Sequence, residues 1–206
     1  MLKILEKHLL PDKSPVLLSL PLSSQEDLDT LEICSGEWTI KDSALEGFCP
    51  VNAGGMIYTK FNHPGDVLLE FTAQNVSPCN NDINFVLKTS GYDFANGDAG
   101  PGYIGSLNGW YNGKAGFEKY PAMLPAAYTP LFSTVSGQSY LVQTGCVGGH
   151  LFLFVDSQLI IETQDEHPED LAAFGRIGLG PYASRVRFSQ LKVYDLKWET
   201  LAEQYE

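Results

Sequence analysis

The sequence predicts an all-β protein, two antiparallel sheets packed as a sandwich behind a short N-terminal helical lead-in. Three observations carry that reading. Roughly a dozen short β-prone runs are separated by turn residues at the spacing of a sandwich or barrel. A helical period is almost absent. A chain of 206 residues, 44% hydrophobic and 18% charged, is also long and apolar enough to close one large core.

Residues 1–34 read as a lead-in packed on the domain. Leu2, Ile4, Leu5, Leu9 and Leu10 precede Pro11, and Ser23 or Ser24 ahead of Gln25, Glu26, Asp27 and Leu28 supplies an N-cap with acids in the first turn. That predicts one short helix before Cys34. The sandwich is expected over 35–197. Trp38-Thr39-Ile40, Ala44-Leu45-Glu46 and Gly55 to Thr59 are short strand-like pieces parted by turn chemistry. In Val67 to Ala73, residues Val67, Leu69, Phe71 and Ala73 alternate with a mostly polar set containing Glu70. Ser139 to Cys146 and His150 to Val155, split by Val-Gly-Gly, read as a hairpin, and Leu151 to Val155 is apolar on both faces, the mark of a strand covered on both sides. Two last strands follow, Gly175 to Gly180 and Val186 to Leu196, and 198–206 reads as a helical or loose tail.

Thirteen basic residues against twenty-five acidic ones give a net charge of −12, and no basic cluster stands out. Nucleic acid and anionic membrane are therefore excluded as partners, because both require Lys and Arg gathered on one face. The charged N-terminus lacks the apolar run of a secretory signal, and no stretch approaches membrane-spanning length. Cys34, Cys49, Cys79 and Cys146 lie without the paired spacing of a zinc or redox motif. The expectation is a cytoplasmic protein with reduced thiols; two disulfides are the alternative for an exported chain. A homo-oligomer is left open.

The stretch from Asn80 to Tyr120 carries the chemistry. Ile83, Phe85 and Leu87 form a core-facing row, which turns Asp82 and Asn84 outward. Beyond a loop rich in Gly and Asp, Tyr103, Trp110, Tyr111, Glu118, Lys119 and Tyr120 lie among glycines. Aromatic faces beside amides and carboxylates suit a sugar, whose C–H face packs on a π-system while its hydroxyls need donors and acceptors. The expected site is one polar face bearing Glu70, Asp82 and Asn84, walled by Tyr103, Trp110 and Tyr111, with Lys119 and Arg187 as further ligand contacts. Packing of the aromatics in a satellite core is the competing reading. Glycoside hydrolysis needs two carboxyl groups on one sugar, and Asp82 with Glu118 is the candidate pair, Glu70 the substitute. His150 and His167 are read as surface histidines. No cofactor is required by any motif; calcium is the one the sequence offers, through Asp93, Asn96 and Asp98, residue types that equally build ordinary turns. No metalloprotease, esterase or phosphate-loop motif is present.

Leu153 to Ile160, Phe174 to Tyr182 and Val186 to Leu196 resemble the closing strands of the concanavalin A-like lectin/glucanase superfamily, nearest its 3-keto-disaccharide hydrolase-like branch. Trp38 to Gly47, Gly55 to Lys60 and Val67 to Phe71 are similar to the way those jelly rolls begin. The resemblance spans most of residues 35–197. It implies a two-sheet jelly roll whose concave sheet and bordering loops handle a saccharide or glycoside, by binding, hydrolysis or lyase chemistry. The Glu-x-Asp-x-x-Glu strand of the jelly-roll glucanases is absent, so the resemblance does not extend to their active site. A non-catalytic structural or interaction subunit is the competing class.

Overall fold

The computed structural model describes residues 2–50, 54–109, 113–168, 170 and 173–201. The lead-in comprises β1 (Leu2–Ile4), β2 (Lys7–Leu9), a 3-10 turn at Pro11–Lys13, β3 (Val16–Leu20) and α1 (Gln25–Asp29). There follow β4 (Leu31–Ser35), β5 (Glu37–Lys41), β6 (Ala44–Phe48), β7 (Met56–Thr59), β8 (Val67–Asn75) and β9 (Ile83–Thr89). A small hairpin, β10 (Tyr92–Asp93) and β11 (Asp98–Ala99), precedes β12 (Gly102–Gly109), β13 (Lys114–Tyr120) and β14 (Leu124–Thr129). The chain closes with β15 (Ser139–Val147), β16 (His150–Val155), β17 (Gln158–Gln164), β18 (Arg176–Pro181), β19 (Arg185–Asp195) and β20 (Trp198–Thr200).

Two antiparallel sheets form the sandwich. One runs β14-β13-β12-β9-β18-β7-β4; the other runs β17-β16-β15-β8-β19-β6-β5, with β3 also paired to β19. The alternation read from the sequence decides which side chains meet between them. Val67, Leu69, Phe71 and Ala73 of β8 face Ile83, Phe85 and Leu87 of β9 in one core. An aromatic chain crosses from sheet to sheet: Phe117 on Phe85 with ring centroids 6.0 Å apart, Phe85 on Phe71 at 6.2 Å, and Phe71 on Phe188 at 6.0 Å. Gly105 leaves the space that the Phe85 ring occupies, since a Cβ there would stand 2.0 Å from Phe85 Cε2. The β15–β16 hairpin forms as predicted, on Gly148 and Gly149 with φ of +54° and +85°, the left-handed pair such a turn requires.

Helix α1 also forms as predicted. Ser24 is its N-cap, its Oγ accepting from Asp27 N at 3.2 Å, while Asp27 Oδ2 accepts from Ser23 N at 2.8 Å and from Ser24 N at 3.2 Å. The rest of the lead-in differs from expectation: it is β-structure, and the expected helical or loose tail contributes β20. Strands β1, β2 and β20 make a three-stranded sheet in which Lys7, His8 and Leu9 pair with Thr200, Glu199 and Trp198. Its Leu2, Ile4 and Leu9 cover Leu68, Phe152, Phe154 and Leu196 on the outer face of the eight-stranded sheet. This explains why β16 is apolar on both faces although it lies one strand from the edge. Strand β3 pairs with β19 and β4 with β7, so the lead-in is woven into both sheets. Burial of each apolar side chain in this layer is worth about 1.5–3 kcal/mol, enough to hold a segment that helix propensity alone would not.

Candidate functional site

One part of the expected constellation changes at once. Strands β8 and β9 are consecutive in the chain but belong to opposite sheets. Glu70 therefore points out of the eight-stranded sheet, where it accepts from Gln143 Nε2 at 2.8 Å and pairs with Lys192 at 3.4 Å. It cannot share a face with Asp82 and Asn84. Arg187 lies on the same far side as Glu70, bound to Glu46 at 3.1 Å and Asp42 at 2.9 Å. Glu46 is nearly buried; burial alone would raise its pKa, but hydrogen bonds from Arg185 and Arg187 bring it below the ordinary carboxylate value. Those guanidiniums are engaged with the protein's own carboxylates.

Tyr103 is a core residue, 0% exposed, its hydroxyl donating to Asp165 Oδ2 at 2.8 Å. It sits one register step from Gly105 on the inner row of β12, so it cannot wall an outer groove. Lys119 takes the inner row of β13 beyond Phe117 and is tied to Asp165 Oδ2 at 3.0 Å and to the His167 carbonyl. His150, expected at the surface, is buried on the outer side of β16, its Nε2 2.8 Å from Glu162 Oε2. Asp93 spends its carboxylate on a turn, Oδ1 accepting from Ala95 N at 2.9 Å and Oδ2 from Asn96 Nδ2 at 2.6 Å, while Asp98 Oδ1 accepts from Ala99 N at 2.8 Å. The calcium trio thus builds a hairpin turn, and among the described residues no group of three or more His, Cys, Asp or Glu is arranged to hold a metal. Trp110 and Tyr111 lie outside the described residues.

What remains, Asp82, Asn84 and Glu118, does come together, on the outer face of the seven-stranded sheet. Register lines up Tyr128, Gly116, Ser106, Asn84 and Gly180 as direct cross-strand neighbours on β14, β13, β12, β9 and β18. At an inter-strand spacing of about 4.8 Å the small and polar part of this row, Gly116 to Gly180, is about 14 Å long. The Tyr128 ring leans over one end: a Cβ on Gly116 would stand 2.6 Å from Tyr128 Cδ1. The next row is Glu118, Ile104, Val86, Gly178 and Tyr58. Its apolar part is roofed by Tyr92 and Ala99 of the β10–β11 hairpin, which pack with Met56, Tyr58, Val86 and Ile104. The result is a trough with the hairpin along one side and the segment entering β9 along the other.

Asp82 stands on that second side. A Cβ on Gly109 would be 3.3 Å from Asp82 Oδ2 and 2.7 Å from Ser106 Oγ, which brings the carboxyl beside the row. A buried polar network holds its backbone. Thr134 N donates to Asn108 Oδ1 at 2.9 Å, Thr134 Oγ1 to Asn75 Oδ1 at 2.9 Å, Asn75 Nδ2 to Asn81 O at 2.8 Å, and Ser184 Oγ to Asp82 O at 2.9 Å. Asn75, formally the acceptor of a glycosylation sequon, is fully buried in this network. Burial pushes the Asp82 carboxyl up to about 7, the negative charge of Glu118 adding to the effect against a lowering by its own backbone N–H. Glu118 Oε1 accepts from Tyr128 Oη at 2.9 Å. Tyr120 is raised above the ordinary phenol value by burial first, then by Asp98, Glu118, Tyr182 and Tyr128.

Asn84 is 6% exposed and, among the described residues, its side chain has no hydrogen-bond partner; the Tyr58 hydroxyl, beneath the hairpin, is buried and likewise unpartnered. Ser106 Oγ donates only to Leu107 O, at 3.1 Å. The trough thus presents an amide with donor and acceptor, two carboxyl groups and tyrosine hydroxyls against a floor of glycines. Sequence reasoning missed Ser106, Gly116, Gly180, Tyr128 and Tyr182. Ser106 was within reach, two residues from Ile104 in an alternating run; nothing local marked Tyr128, whose role depends on β14 pairing with β13.

No protein-family model matches the chain, and no curated protein matches it. Solved structures do share its fold. A protein of unknown function with a galectin-like fold from Bacillus subtilis superposes with a TM-score of 0.73 at 14% identity, over 89% of this chain and 98% of that one. The carbohydrate-binding module CBM66 from Bacillus subtilis gives 0.63 at 15% identity, over 80% and 95%. The potassium-bound carbohydrate recognition domain of Emp46p gives 0.69 at 14% identity, over 86% and 96%. These likenesses show the fold, a jelly roll of two packed antiparallel sheets.

Proposed function

We propose that the protein binds a saccharide along the trough on the outer face of the seven-stranded sheet. One observation carries the reading: a row of glycines and small polar residues crosses the sheet beneath tyrosines, and the Asn84 amide within it is almost buried yet unpartnered. The Asn84 side chain makes no hydrogen bond to the described residues, so both the amide donor and the amide acceptor are available to ligand hydroxyls. The tyrosines beside the row supply aromatic faces and hydroxyls. Carbohydrate recognition by CBM66 and by the Emp46p domain on the same fold supports the reading by analogy of fold. The four free cysteines support the accompanying proposal of a reducing, cytoplasmic setting.

The test is a glycan array followed by calorimetry on the strongest hit, with wild type and Asn84→Ala. The substitution should weaken binding roughly three- to tenfold, the worth of one hydrogen bond. Binding by wild type that is unchanged in Asn84→Ala would move the site off the trough. No binding to any glycan would remove the function.

A further inference from the structure

The three-stranded sheet of β1, β2 and β20 is held differently at its two ends. At one end Leu10 N donates to Lys197 O at 2.8 Å, and Ser14 Oγ donates to Leu10 O at 2.8 Å while accepting from Lys197 N at 2.9 Å. Backbone groups and a hydroxyl make these bonds, and none of them titrates near neutral pH. At the other end of β2 the sheet meets β16 and β17 through a buried histidine. Leu5 N, in the β1–β2 turn, donates to Glu162 Oε2 at 2.8 Å, and the same oxygen lies 2.8 Å from His150 Nε2. Lys7 Nζ lies 3.4 Å from His150 Nδ1. The histidine is 4% exposed.

These partners assign the proton on the ring. A lysine ammonium only donates, so Nδ1 accepts from Lys7; a carboxylate only accepts, so Nε2 carries the hydrogen that Glu162 receives. The imidazole of the docked sheet is therefore neutral. A second proton has only Nδ1 to occupy, where it removes the acceptor that Lys7 uses and sets two cations 3.4 Å apart in a site almost closed to water. The charged groups facing the ring are Lys7 on β2, Glu6 in the β1–β2 turn and Glu162 on β17; burial first and Lys7 second hold its pKa below the ordinary 6.5 against the two glutamates. From β20, Trp198 turns its ring to Lys7, 5.6 Å away. His8 pairs with Glu199 across β2 and β20 at 3.1 Å, where a proton tightens the small sheet within itself.

We propose that His150 is an acid-sensitive latch: protonation at Nδ1 expels Lys7 and frees the small sheet from β16 and β17, baring the apolar Leu68, Phe152 and Phe154 that Leu2, Ile4 and Leu9 cover. The Leu10, Ser14 and Lys197 bonds, indifferent to pH over this range, keep the freed segment tethered. Docking is fully supported above about pH 6.5 and weakens as the pH falls below it, because the released chain takes up a proton that the docked one refuses. One proton bound on release raises the ratio of released to docked sheet by up to about tenfold per pH unit. Three buried aliphatic side chains oppose release, so the latch sets how often the sheet opens rather than unfolding the protein.

The experiment is amide hydrogen exchange on the full chain from about pH 7.5 to 5.5, a range that ends above the ordinary carboxylate values. The readout is opening of residues 2–9 and 198–200, corrected for the intrinsic rate at each pH. It is local because Asp82, on the other sheet, also titrates near pH 7. In wild type this opening should rise by up to about tenfold per unit below about pH 6.5. His150→Gln, which keeps a donor for Glu162 and takes no proton, should open equally across the range. Lys7→Met removes the second cation and should lessen the pH dependence, so the test survives if His150→Gln fails to fold. His63→Gln should behave as wild type, since that histidine has its own partner in Asp195 at 3.7 Å. Proton NMR of the four histidine rings should show His150 titrating below about 6.5. Opening that ignores pH in wild type, a pH dependence that survives in folded His150→Gln or is undiminished in Lys7→Met, its loss in His63→Gln, or a His150 ring that titrates at or above 6.5 would each overturn the proposal.

Discussion

Asp82→Asn should make the folded protein more stable at neutral pH, and the size of the gain follows from where the carboxyl sits. Its pKa is held at about 7 against an ordinary 3.8, first by burial and then by Glu118. Below pH 3.8 the folded and unfolded chains both keep the proton, and the site costs nothing. As the pH rises from there, the unfolded chain releases the proton while the folded one does not, so stability falls until the folded carboxyl also ionises near pH 7. At about 1.4 kcal/mol per pH unit, the full cost above that point is about 4 kcal/mol. Asparagine has the same shape and no charge. The variant should match wild type at pH 3.5 and exceed it by about 2–4 kcal/mol at pH 8, a rise in Tm of roughly 5–15 °C for a chain of this length. Urea unfolding of both proteins at pH 3.5, 5.5 and 8 measures this directly, with equal m-values confirming that only stability changed. A variant less stable than wild type at pH 8, or a difference that does not vary with pH, would refute the reasoning. It would mean that the native carboxylate is ionised and paired.

Gly105→Ala should destabilise the protein by about 1–3 kcal/mol in urea unfolding, because its Cβ would lie 2.0 Å from Phe85 Cε2 in the packed core; an unchanged midpoint would show that the ring steps aside freely. Leu9→Ala should cost about 2–5 kcal/mol of stability without altering saccharide affinity, since Leu9 packs under the lead-in sheet on the face opposite the trough. A loss of affinity in a folded Leu9→Ala would place the site on the wrong sheet. Thiol titration under denaturing, non-reducing conditions should count four cysteines. In the native protein Cys146 should stay silent, buried and with its thiol pushed up to about 12; fewer than four thiols after unfolding would reveal a disulfide.

The sequence by itself determined the fold class and much of its local detail, because those features depend on near neighbours in the chain. Period-two alternation assigned Ile83, Phe85 and Leu87 to the core and turned Asn84 outward. Ser24 and Asp27 marked a helix start, and Gly148 and Gly149 marked a hairpin, each through hydrogen bonding or φ confined to a few residues. Tertiary structure decided which outward faces coincide. Alternation places Glu70 and Asn84 each on the polar side of its own strand, but it carries no information about which sheet the strand joins, and the chain crosses between sheets from β8 to β9. The same indifference put Tyr103 and Lys119 on the wrong side of β12 and β13, where glycine-rich composition hid the alternation. The lead-in misled for a related reason: its leucines signal burial without a period, and only the apolar Leu68, Phe152 and Phe154 face that they cover made β-structure the stable choice. The trough itself is a product of register. Gly116, Ser106, Asn84 and Gly180 are far apart in sequence, and antiparallel pairing across four strands is what sets them in one line.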